Sequence, residues 1–105
     1  MEKQELSYSE CKTFKKYIRK AIDSLIEQDY FVVREKYIYS VKDMVFDWRC
    51  DGITNYYDDA WLVHLLYAAI TACEEHDSGT VFELLVRINA GFKKMVARYD
   101  IKQDC

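Results

Sequence analysis

Residues Ser7–Leu25 read SYSECKTFKKYIRKAIDSL, and this stretch decides the class of fold. Ser7 and Glu10 have the spacing of a capping box, in which a serine hydroxyl accepts a backbone N–H of the first turn and a glutamate reaches back toward the cap. Behind them Cys11, Phe14, Ile18, Ala21, Ile22 and Leu25 recur at steps of three and four, the period of a helix with one face turned to a core. The spacing predicts a helix over 7–28.

The same period continues outward from that segment. Over 30–50 it places Val33, Tyr37, Val41, Met44, Val45 and Trp48 on one stripe, with Gly52 as the stop. The opening Tyr30-Phe31-Val32-Val33 has the composition of a strand, yet the helical period persists and no second strand is visible to pair with it, so a helix is expected. A third helix is predicted over 58–76, starting near Asp58 or Asp59 and ending before His76-Asp77-Ser78-Gly79. A fourth is predicted over 80–99. There Thr80 and Glu83 make a second capping box, followed by Phe82, Leu85, Ile88, Asn89, Phe92, Met95, Val96 and Tyr99. Each helix is about 30 Å long at 1.5 Å per residue. Matched lengths and short connections predict an all-α protein, a single-domain antiparallel four-helix bundle over 1–105. Gly91 inside the fourth helix signals either close approach of a neighbouring backbone or a tolerated propensity cost of about 1 kcal/mol.

Composition agrees with one packed core. The chain has 105 residues, half of them hydrophobic, with three glycines and no proline, which excludes disordered, collagen-like and low-complexity classes. The net charge of −3 argues against a general nucleic-acid binder held by phosphate neutralisation. Its distribution is uneven: residues 43–77 hold eight acids and only Arg49 as a base, while the flanking segments are slightly basic. The N-terminus MEKQELSYSE has no apolar export segment, and Ala60–Cys73, the most apolar stretch, is shorter than the roughly 18 residues of a membrane span. A cytoplasmic protein without membrane contact is expected. Cys11, Cys50, Cys73 and Cys105 are widely spaced and read as reduced thiols that folding does not need.

No catalytic or metal pattern emerges. His64 and His76 lack the i, i+4 spacing of a helical metal pair, Cys73 and His76 form a lone Cys-x-x-His, and there is neither a phosphate-binding glycine loop nor a nucleophile elbow. A protein that is not an enzyme, with no cofactor, is expected. Asp43, Asp47 and Asp51, spaced i, i+4, i+8, occupy the C-terminal half of the second helix, where the macrodipole disfavours anions by about 0.3–1 kcal/mol each. The turn into the third helix brings Tyr56, Tyr57, Asp58, Asp59 and Trp61 to the same pole. Acids interleaved with aromatics have the composition of an interface for a basic protein. A second stripe, His64, Tyr67, Thr71, Glu74 and Glu75, would reach solvent on the otherwise apolar third helix. The basic run Lys12, Lys15, Lys16, Arg19 and Lys20 reads as a solvated face, with no direct nucleic-acid contact expected.

Asp51-Gly52-Ile53-Thr54-Asn55-Tyr56-Tyr57 resembles the Asp-x-Ile-Tyr-Tyr-Pro segment of the acidic helical immunity proteins that bacteria make against nuclease toxins of the colicin and contact-dependent inhibition type. Here two residues separate Ile53 from the tyrosines and the proline is absent. The resemblance implies binding to and neutralisation of a cognate nuclease toxin. Two alternatives use the same sequence: a phage-type inhibitor of a host defence nuclease, and a homodimeric helical adaptor that buries the apolar third helix between subunits.

Overall fold

The computed structural model describes residues 4–103 and is built almost wholly from helices. The first helix is Tyr8–Ile26. The second is one continuous rod over 30–50, the third is Tyr56–Glu74 and the fourth Ser78–Val96. The first packs on the second and fourth, and the third on the fourth and second.

Each helix is capped by chemistry written beside it. The Ser7 hydroxyl accepts from Glu10 N–H at 3.2 Å, but the Glu10 carboxylate does not complete the expected box. It accepts instead from the indole N–H of Trp48 at 3.0 Å, tying the start of the first helix to the end of the second. The third helix starts two residues before its expected position because Asn55 is its cap, accepting from Asp58 N–H at 3.1 Å. The fourth likewise starts at Ser78, capped by Asp77, which takes both the backbone N–H and the hydroxyl of Thr80. Glu83 pairs with Arg87 on the surface rather than with a cap. Gln28 and His76 adopt left-handed backbone conformations (φ 60° and 55°) after the first and third helices, as does Gly52 (φ 75°) after the second. At His76 the N–H of Asp77 returns to Ala72 C=O at 3.0 Å, a Schellman closure reached without glycine.

Tyr30–Val33 is helical, as expected. The rod is not uniform, however: over Val33–Ile38 it widens into a π-turn, with Tyr39 N–H bonded to Arg34 C=O five residues back. The extra residue turns both Tyr37 and Ile38 into the core, which the regular period did not anticipate. At the chain ends Glu5–Ser7 and Asp100–Lys102 form a short parallel ribbon, missed in the sequence because each strand is only three residues long. It seats Leu6, fully buried, beneath the helices.

The core is centred on an aromatic stack in which Phe14 lies 3.8 Å from Phe92 and Trp48 flanks both. Of the anticipated faces of the first and fourth helices, Cys11, Phe14, Ile18, Ala21, Leu25, Leu85, Ile88, Phe92, Met95 and Tyr99 are buried, Ile22, Asn89 and Val96 are half-buried at the edge, and Phe82 is half-exposed while Val81 takes the inward position. Gly91 is indeed a place of close approach, but by a side chain. A Cβ there would overlap the Trp61 indole. Cys11 and Cys73 are buried and Cys50 is exposed; Cys105 lies outside the described residues.

Candidate partner-binding surface

The pole where the second helix ends and the third begins is held by one fully buried carboxylate. Asp59 accepts from Arg49 through both oxygens, with Nε at 3.2 Å, and from the Thr54 hydroxyl at 2.9 Å. The hydrogen bond from Arg49, more than its Coulombic attraction, raises the guanidinium pKa above its already high value. The turn 51–55 is thereby clamped between two helices. Asp59, expected at the surface, is structural, and burial removes it from any contact with a partner.

Asp58 is also engaged internally. Its carboxylate accepts from Tyr99 OH at 2.7 Å and Asn55 Nδ2 at 3.2 Å, with Arg98 at 3.6 Å, and only a quarter of its side chain is exposed. Burial, then the bond to Asp58, pushes the Tyr99 hydroxyl pKa well above the usual tyrosine range. Trp61 donates its N–H to Asp58 C=O at 2.7 Å and covers Gly91. These two residues support the pole from beneath.

What remains at the surface is a narrower set. Asp43, Asp47 and Asp51 are exposed. Asp43 has Lys42 at 4.0 Å; among the described residues Asp47 and Asp51 have no side-chain hydrogen bond or ion pair. Tyr57 is 91% exposed and meets Tyr56, 66% exposed, edge to face at 6.0 Å. On the third helix His64, Tyr67, Thr71 and Glu74, and Glu75 just past its end, all reach solvent, as the stripe predicted.

The structure also joins the two sets, through residues the sequence reading passed over. Arg34, Lys42 and Arg49 lie along the seam between the second and third helices, each set over an aromatic residue three positions earlier: Phe31, Tyr39 and Phe46. From the third helix Glu74 meets Arg34 at 3.8 Å, Tyr67 meets Lys42 at 5.8 Å and Tyr56 meets Arg49 at 5.8 Å. The signal lay in three successive aromatic–x–x–cation pairs on the second helix, although the same pattern also occurs at Tyr17/Lys20 and Tyr99/Lys102. Its spacing, eight residues and then seven, drifts out of phase on a regular helix; the π-turn between Phe31 and Tyr39 absorbs the extra residue and keeps the three rungs on one side.

Among the described residues no group of three or more His, Cys, Asp or Glu side chains is arranged to hold a metal ion, and no helix is long and apolar enough to cross a membrane. Compared with protein-family models, with curated proteins and with solved structures, the chain finds no match.

Proposed function

We propose that this chain is a cytoplasmic immunity-type protein, a single-domain antiparallel four-helix bundle that binds and neutralises a nuclease toxin by covering a basic surface of it. One observation carries the reading. Asp47 and Asp51 stand exposed at the C-terminal end of a helix, without an ion pair among the described residues, beside two exposed aromatics, Tyr56 and Tyr57. Stability favours cations at that helix end, and a large aromatic gains nothing from full exposure to water. Both features make sense once a partner supplies Lys or Arg to the acids and an apolar surface to the rings.

The surface assigned to this contact is Asp43, Asp47, Asp51, Tyr56 and Tyr57, extended along the seam to Tyr67 and the His64, Thr71, Glu75 stripe. Asp58, Asp59 and Trp61 hold it in shape. Contact is with protein, without direct nucleic acid, membrane or cofactor. The test is titration calorimetry against the product of the adjacent reading frame, assayed for nuclease activity alone and with this chain. Tight binding with loss of activity is the expected result; absence of binding, binding that leaves the nuclease fully active, or an adjacent product without nuclease activity overturns the reading.

A further inference from the structure

A second surface, on the side of the molecule formed by the first and fourth helices, follows from a pattern shared by those two helices. The first helix places Lys15, Arg19, Ile22 and Ile26 on one stripe at i, i+4, i+7 and i+11. The fourth places Phe82, Val86, Asn89 and Lys93 at the same intervals. The seam sets like against like. Lys15 and Arg19 share a groove of about 400 Å³ with Asn89, Lys93 and the edge of Ile22, whereas one helical turn further along Ile26 shares a second groove of about 350 Å³ with Leu25, Phe82 and the small polar turn of Gln28, Ser78 and Gly79. The exposed cations of the seam, Lys15, Arg19 and Lys93, gather at one end, and its exposed apolar side chains, Ile26, Phe82 and Val86, at the other.

Neither end is covered among the described residues. Ile26, Phe82 and Val86 are 75%, 50% and 45% exposed. Among the described residues Lys15, Arg19 and Lys93 have no ion pair, although Asp23 lines the basic groove with them. Lys12, Lys16 and Lys20 add like charges at i, i+4 spacing on the same helix, an arrangement that opposes helix formation in isolation.

We propose that this seam is a docking groove for an amphipathic helix of another protein, acidic in its first turns and apolar in its last. The acids meet Lys15, Arg19 and Lys93, and the apolar anchors lie over Ile22, Ile26, Phe82 and Val86, the helix-in-groove mode of recognition. The order of charge sets the direction. Beyond the apolar half, the end of the molecule carries exposed Glu27, Asp29 and Asp77, which favour a cation at the far end of the ligand. Acid first and cation last is the order that the helix dipole itself stabilises, so the ligand runs in the direction of the first helix. The same acidic end argues against an anionic lipid surface, because dipping Ile26 and Phe82 into a bilayer would press those carboxylates onto the headgroups. The assignment concerns a different face from the acidic pole and does not rest on the function proposed above.

The probe is a fluorescein-labelled synthetic helix with Glu in its first two turns, Leu at i, i+3, i+4 and i+7 in its last two, and a terminal Lys. A second peptide carries the same residues in reverse order. Anisotropy titration of the full chain is expected to show the forward peptide bound at least about tenfold more tightly than the reverse one. Lys15→Glu/Lys93→Glu and Ile26→Asp should each weaken it about tenfold or more, with thermal melts confirming that the variants fold. Equal binding of both peptides, or binding indifferent to these substitutions, overturns the proposal. So does sedimentation of the chain with phosphatidylserine vesicles without peptide binding, or a dimer in light scattering that Ile26→Asp dissociates, since each names a different occupant.

Discussion

Arg49 closes on Asp59, a carboxylate with no exposed surface, and through it the last turn of the second helix is bonded to the first turn of the third. This pair fixes the pole on which the acidic surface stands. Breaking a buried ion pair by removing one partner leaves a charge desolvated and unmatched, typically at 3–5 kcal/mol; Arg49 keeps a third of its side chain in water, which lowers the expected cost to about 2–3 kcal/mol. Arg49→Ala should therefore lower the melting temperature by several degrees, and urea denaturation should show the loss without a change in m. Asp59→Asn, which removes the charge and keeps the shape, should cost less than Asp59→Ala.

Gly91 lies beneath the Trp61 indole with no room for a Cβ. Gly91→Ala gains about 1 kcal/mol of helix propensity but displaces the ring, and overpacking typically costs 1–3 kcal/mol, so the single substitution should be destabilising on balance. In a Trp61→Ala background the obstruction is gone, and Gly91→Ala should become stabilising by about 1 kcal/mol. Thermal melts of the double-mutant cycle check the reversal of sign.

Burial pushes the Cys73 thiol up to about 11, whereas Cys50 is exposed. The thiolate is the nucleophile, so iodoacetamide near pH 8 should label Cys50 in the native protein and reach Cys73 only on unfolding. Mass spectrometry of tryptic peptides reads both sites. Reductant should leave the melting temperature where it is.

Tyr99 links the end of the chain to Asp58 with its hydroxyl protonated, and its pKa is raised by burial first and by that hydrogen bond second. A group whose folded pKa exceeds its unfolded value contributes stability that is complete below the unfolded pKa, near 10 for tyrosine, and is lost as pH rises toward the folded one. Stability should accordingly fall above about pH 10. Tyr99→Phe should cost about 1 kcal/mol at neutral pH and flatten the alkaline limb, as melts from pH 7 to 11 would show.

Much of the scaffold was legible because burial follows the helical period. Cys11, Phe14, Ile18, Ala21 and Leu25 face the core as their spacing requires. The exceptions have local causes. Ile38 turned inward because a π-turn added a residue to the period, and Phe82 yielded to Val81 because Val81, four residues before Leu85, is the position that continues the Leu85, Ile88, Phe92 and Met95 stripe. The exposed row Asp43, Asp47, Asp51 could be read from one helix alone. Asp58 and Asp59 could not: their partners, Tyr99 and Arg49, are brought to them by packing, and nothing in a run of acids distinguishes a solvated carboxylate from one bonded across two helices. The three rungs of the seam were written in the sequence, but recognising them required knowing which helix lies alongside.

The exposed acids serve a partner and not the fold, and measuring affinity and melting temperature together on Asp43→Lys/Asp47→Lys/Asp51→Lys separates the two. Against the nuclease from the neighbouring reading frame, at low and at physiological salt, the triple variant should lose at least about 100-fold in affinity, and wild-type binding should weaken as salt rises. Its melting temperature should be no lower than wild type, because cations replace anions at the end of the second helix. Reversal of Lys15, Lys16 and Lys20 should leave this affinity nearly unchanged. Unaltered affinity in the acidic triple variant, or binding indifferent to salt, would mean that these acids do not make the contact, and would move it to the His64, Tyr67, Thr71 and Glu75 stripe.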